Sequence, residues 1–301
     1  MRYLRRAFTL VELTFVILVF GIVAAIGSEI YAKIYENYLI TRSINSLQTK
    51  TEIALEQIAK RLQYRIKSSA IGVTSDLDDF ITTADPRLDE SYTILEWIGY
   101  DETGLRGEYD DTTLNYFQPI WSGFIDVDNS TQTVISTPGS RLLSEWNLID
   151  TLSHDSANIG DAAIIFPETG GDFNISRFGW YGNDSDYVFN INITSDTAFE
   201  ISDPTRPTDI YERYKLVWTA FAIAPDPLDC QNNCDLVLYW NYQPWKGERF
   251  DTAQNVFKNL LLQNVTTFKF KQDGDVMRIK LCAGEKIIDN NISVCKEKVV
   301  F

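Results

Sequence analysis

The stretch FTLVELTFVILVFGIVAAIGS, from Phe8 to Ser28, decides the reading of this chain. It holds 21 residues and a single charge, Glu12. A helix needs about 20 mainly apolar residues to cross the hydrocarbon core of a bilayer, so the stretch is long enough to span one. Arg2, Arg5 and Arg6 precede it, and positive charge before a first span holds that end in the cytoplasm. The rest of the chain is then expected outside. A secretory signal is the competing reading, with Ala24, Ala25, Gly27 and Ser28 offering a small-residue cleavage site. Glu12 argues against it. A carboxylate in a membrane helix costs about 2.5–3.5 kcal/mol at the centre and usually has a specific partner. The bland reading of Glu12 is a carboxylate near a helix N-terminus, favoured by the macrodipole.

Beyond residue 28 the helical pattern continues. Ile44, Leu47, Thr51, Leu55, Ile58, Leu62 and Ile66 recur at steps of three and four, one stripe on a helix. No Pro or Gly interrupts residues 28–71, and Gly72 is the expected stop. The expectation is one long helix over residues 8–70, about 90 Å in length. Its inner part, residues 8–28, is apolar all round. Its outer part carries the stripe and must pack on something.

The basic leader MRYLRRA, followed by Phe8-Thr9-Leu10-Val11-Glu12 and an apolar run, resembles the class III signal of type IV pilins and type II secretion pseudopilins. The resemblance implies a leader peptide of residues 1–7, cut between Ala7 and Phe8 by a prepilin peptidase that also methylates the new N-terminus at Phe8. It implies that Glu12 serves assembly by neutralising the terminal amine of a neighbouring subunit, a pair that is strong at low dielectric and costly when broken. Two positions depart from the family pattern. Ala7 stands where Gly is usual, which implies slower processing. Glu29 stands where many major pilins kink the helix with proline, which implies a straighter helix, as in minor subunits. The resemblance is specific over residues 1–30 and extends as architecture to about residue 70.

From residue 71 to 301 the composition changes to short apolar runs between Gly, Asp, Asn and Ser, the pattern of a β-rich body. Strands are expected at 92–98, 117–127, 133–136, 162–166 and 187–194, with helices at 142–152 and 252–262. Residues 214–224 and 236–243 read as a hairpin with a long tip. Residues 265–271 and 276–282 alternate around Asp273-Gly274 as a second hairpin, and 294–301 read as an edge strand. A sheet with one apolar face would cover the helix stripe, giving an α+β fold. That is the pilin architecture, an enlarged antiparallel body on a long N-terminal helix.

The net charge of −15 is unevenly spread. Residues 1–75 carry ten Lys/Arg against five Asp/Glu, residues 76–251 nine against 32, and residues 252–301 eight against five. So acidic a middle argues against nucleic acid as a partner of the body at large. Lys269, Lys271, Arg278 and Lys280 form the one basic face, read as a solvated strand face.

The four cysteines, Cys230, Cys234, Cys282 and Cys295, are expected to form disulfides outside the cytoplasm. Of three pairings, Cys282–Cys295 would tie two C-terminal strands and Cys230–Cys234 would pin the hairpin tip. A single histidine, His154, excludes a multi-histidine zinc site. Ser153-His154-Asp155 cannot align as a triad from adjacent positions. Neither a phosphate loop nor a dinucleotide fingerprint occurs. Asp226, Asp229 and Asp235 crowd the hairpin tip as candidate calcium ligands, though no calcium-loop pattern contains them. No cofactor is otherwise expected. Asn174 and Asn291 lie in Asp-x-Asn-x-Ser sequences, candidate glycosylation acceptors. Trp240, Tyr242 and Trp245 read as core rather than as a binding surface.

These readings converge on a structural protein and not an enzyme: a minor pilin or minor pseudopilin that starts or caps a filament. The expected location is the bacterial inner membrane, single-pass, with a periplasmic body. The expected partners are other pilins through the helix, the prepilin peptidase and the assembly platform, with a secreted protein or surface ligand as a further one. The alternatives are a minor type IV pilin serving adhesion or DNA uptake, and a membrane-anchored binding domain that does not polymerise.

Overall fold

Helix α1 (Leu10–Leu62) runs for 53 residues, about 80 Å at 1.5 Å per residue, in the computed structural model of the chain. The structure describes residues 9–107, 109–110, 112, 115–116, 118–167, 174–204, 206–287 and 290–301. The helix starts in a capping box. Thr9 Oγ1 accepts from the Glu12 amide at 3.4 Å, and Glu12 Oε2 accepts from the Thr9 amide at 3.1 Å. It ends eight residues before the expected residue 70. There the Arg65 guanidinium turns back to donate to the Leu62 carbonyl at 2.7 Å, and the Ile66 amide donates to Ile98 at 2.8 Å. Pairing with the body, and not Gly72, stops it.

Among the described residues the body contains fourteen strands and two short α-helices. In chain order these are β1 (Ile71–Thr74), β2 (Phe80–Thr82), β3 (Tyr92–Tyr100), α2 (Glu102–Arg106), β4 (Tyr109–Asp110), β5 (Asn115–Tyr116), β6 (Val134–Ser136), α3 (Glu145–Leu152), β7 (Ala163–Ile165), β8 (Phe189–Ser195), β9 (Ala198–Ile201), β10 (Lys215–Asp226), β11 (Cys234–Trp240), β12 (Phe257–Asp273), β13 (Val276–Ile287) and β14 (Asn290–Val300). The main antiparallel sheet runs β14-β13-β12-β11-β10, continues through β7-β8-β9-β6, and joins β3, β1 and β2 along the opposite edge of β10. An α+β architecture with a long apolar helix packed on a large antiparallel sheet follows directly.

The helix lies on one face of this sheet. Leu47, Ala54, Leu55, Ile58, Ala59 and Leu62 pack against Leu95, Trp97, Leu238 and Ile279. The opposite face is also buried. There Ile94, Ile98, Ala222 and Tyr239 lie beneath Phe178, Trp180, Trp245 and Phe250. Burial on both faces explains why β3 and β10 read as near-continuous apolar runs and not as alternations. A third core gathers Trp121, Ile149, Ile164, Phe199 and Tyr214 around β7–β9 and α3.

Two expected elements are corrected. Residues 252–262 form no helix. Turns lead to Phe257, where β12 begins and pairs with β11 from Trp240↔Phe257 to Cys234↔Val265. The run NLLLQN has helical propensity, and ladder pairing overrides it. Residues 118–127 form no strand beyond a single bridge, Phe124↔Arg213. Trp121 is fully buried, its Nε1 donating to Asp101, and Gly123 takes φ +75°, which breaks an extended path. Phe117 lies outside the described residues.

Strand β14 runs alongside α1 in the same direction. Contacts proceed from Asn290–Glu36 through Lys296–Glu52 to Lys298–Glu56.

Candidate functional site

The first candidate site is the inner half of α1. Residues 10–35 are all exposed, a length of about 39 Å, and among them Leu10, Phe15, Phe20 and Ile26 leave more than half of their surfaces bare. The segment is long and apolar enough to cross a membrane. Such a row of side chains is stable in lipid or against like helices, not in water. Glu12 stands at its start, its carboxylate held by Thr9 within the capping box. Ala7 and Phe8 lie outside the described residues.

The outer half of α1 is fixed to the body. Beside the buried stripe, Ser43 Oγ donates to Glu285 at 2.5 Å, and Lys296 and Lys298 pair with Glu52 and Glu56. The Lys296 hydrogen bond and charge hold the Glu52 carboxyl below its ordinary range. At the helix end, Arg65 Nη2 donates to the Asp275 carbonyl at 3.0 Å, and Lys67 pairs with Asp275 at 3.4 Å. These contacts tie the helix to the β12–β13 turn.

Both disulfides join the pairs favoured in the sequence. Cys282 and Cys295 are direct partners across β13 and β14 with Cα atoms 4.0 Å apart. Cys230 and Cys234 close the β10–β11 tip across 5.8 Å. Disulfides belong to an oxidising compartment.

No protein-family model, no curated protein and no solved structure matches the chain.

The remaining sequence candidates separate in space. Asp226 and Asp235 are Cα partners across β10 and β11, but Asp229 does not complete a cluster. Among the described residues no group of three or more His, Cys, Asp or Glu side chains is placed to hold a metal, and Asp226, Asp229 and Asp235 are not gathered into one. Asn174 is exposed and accepts from the Ser176 amide at 3.1 Å. Asn291 is exposed on β14. Their upstream acids, Asp172 and Asp289, lie outside the described residues. Ser153 is buried and bonds Ala157, while His154 is exposed with its ring edge-on to Phe257, so the two do not act together. Tyr242 and Trp245 are buried, and Trp240 stacks on Phe257 at 4.6 Å, as core residues do.

Two buried acidic groups escaped the sequence reading. Glu96, on β3, accepts from Tyr181 Oη at 2.5 Å and from Tyr242 Oη at 2.7 Å. Burial pushes its carboxyl up to about 7, against the opposing pull of the two tyrosine hydrogen bonds. A glutamate amid the apolar run YTILEWIGY was the available signal. Asp101 Oδ2 accepts from Trp121 Nε1 at 2.9 Å and from the Gly104 amide at 2.7 Å. Burial raises both Asp101 and its neighbour Glu145, and the Asp101 charge raises Glu145 further. Such a pair shares a proton rather than carrying two charges. Both groups sit inside the cores, away from any open cleft, and hold packing together.

Proposed function

We propose that this chain is a minor structural subunit of a type IV pilus-like filament or a type II secretion pseudopilus, and that it initiates or caps assembly. The observation that carries the reading is α1. Its inner half offers an apolar surface about 39 Å long to lipid or like helices, and its outer half is clamped to a bulky body. Before assembly the inner half anchors the chain in the inner membrane with the body outside. After cleavage between Ala7 and Phe8, it joins a bundle of like helices. There Glu12 meets the terminal amine of a neighbour, exchanging its capping contact with Thr9 for a charge pair. Helices packed side by side leave little room for repeated large bodies, so a body of this size belongs at an end of the filament. The reading gives the chain no catalysis; it is a substrate of the prepilin peptidase.

Two measurements test it. The mass of the mature protein should equal residues 8–301 plus one methyl group. Glu12→Ala should leave the chain membrane-bound but deplete it from the purified filament fraction. Equal amounts of mutant and wild type there would sink the assembly reading and favour a membrane-anchored domain that does not polymerise.

A further inference from the structure

Strand β12 loses a neighbour halfway along. Its first half pairs with β11, ending at Cys234↔Val265. Its second half, residues 265–273, pairs with β13 on one side. On the other side the next backbone contact is the Gln272 amide donating to Thr83 at 2.9 Å. Residues whose amides point to one side of a strand alternate, so Phe268 and Phe270 point the same way as Gln272. Among the described residues no backbone partner meets them there. The disulfide Cys230–Cys234 closes the chain into a tight tip where β11 begins, so β11 does not extend to cover this edge.

The open edge borders a groove of about 1000 Å³, the upper end of the size range of ligand clefts. Leu88, Leu228 and Leu236 lie on its walls. Thr93 Oγ1 also lines it, buried and without a hydrogen-bond partner. The basic residues lie here too. Lys269 faces Lys280 and Lys271 faces Arg278 as direct cross-strand partners, all four exposed and all lining the groove. Like charges directly opposite destabilise a ladder. Lys269 pairs with Glu90, and Lys280 has Glu297 opposite it on β14, so the opposed Lys271–Arg278 pair is the less compensated of the two.

We infer that the groove binds an extended peptide segment of another protein, alternating apolar and acidic residues, which adds as a strand to the open edge of β12. The chemistry follows from the pleat. A strand added beside β12 places alternate side chains on its two faces. On one face they meet Phe268 and Phe270, and on the other Lys269 and Lys271. The backbone of the guest satisfies the free amides and carbonyls of Phe268 and Phe270, and its acidic residues offset the opposed cations. Glu90 beside Lys269 shows that a carboxylate suits this face. The inference does not depend on the assembly reading.

The test is fluorescence anisotropy with the full chain in detergent and a labelled eight-residue peptide alternating Val and Glu. Saturable binding is expected. It should weaken about tenfold when alternate peptide amides are N-methylated, because ladder hydrogen bonds are lost. Lys269→Glu combined with Lys271→Glu should weaken it about tenfold as well and shift preference to a peptide alternating Val and Lys. Three results would overturn the proposal: no saturable binding by the wild type, equal binding of the methylated peptide, or tighter binding of a single-stranded oligonucleotide of equal charge. The methylated peptide leaves the protein unaltered, so its result stands even where a variant folds poorly.

Discussion

Tyr242 Oη lies 2.7 Å from Glu96 Oε2 and donates to it from within a closed core. Because burial raises the folded-state value of Glu96 from 4.5 to about 7, the folded chain binds a proton there that the unfolded chain has lost. The sign of the linkage follows. This contribution to stability is complete below about pH 4.5, declines as pH rises, and is lost above about 7. It amounts to at most about 3 kcal/mol. Urea unfolding in detergent should show wild-type stability falling between pH 5 and pH 8. In Glu96→Gln, which carries no such proton, the fall should be smaller. An identical fall in both proteins would remove Glu96 from the account.

Leu55 is buried against the sheet, whereas Val19 projects from the inner half of the same helix. Leu55→Ala should cost about 2–5 kcal/mol, through lost transfer energy and a cavity. In detergent, Val19→Ala should change unfolding by less than about 0.5 kcal/mol. Equal effects would show that the helix is not held to the body by its stripe.

The Cys282–Cys295 bridge spans 13 residues of sequence and joins the edge strand to its neighbour. Replacing both cysteines by Ala should lower stability by about 3 kcal/mol on the loop-entropy account. The loss should appear first as faster amide exchange in β14, the strand without an outer partner in the sheet. Removal of Cys230–Cys234, which spans only 4 residues of sequence, should cost less and leave β14 protected.

The long helix was legible because its signal is periodic and local. The stripe from Leu47 to Leu62 is the face that packs, and the alternation around Asp273-Gly274 is the β12–β13 hairpin, with Gly274 at φ +58°. Legibility failed where distant partners decide. Residues 257–262 carry helix-forming leucines and become a strand because β11 lies beside them. Residues 118–127 look extended but are bent around the buried ring of Trp121. Of the candidate sites, the cysteine pairs followed from strand order. The charge pattern of Lys269, Lys271, Arg278 and Lys280 was visible as a face, but the missing neighbour of Phe268 and Phe270 was not. Where β11 begins is set by the tip disulfide and the sheet around it, and no local pattern encodes that.

The parallel course of β14 and α1 has a mechanical consequence. Of the tension along the helix axis, the share carried by Glu36, Glu52 and Glu56 passes to β14. It therefore acts along the β13–β14 ladder from Met277↔Val300 to Ile287↔Asn290, so that all of its rungs share the load in shear instead of parting one by one. The Cys282–Cys295 bond sits within that ladder as a covalent stop. A pull along the helix is thus resisted there in shear, the strongest geometry a β-ribbon has.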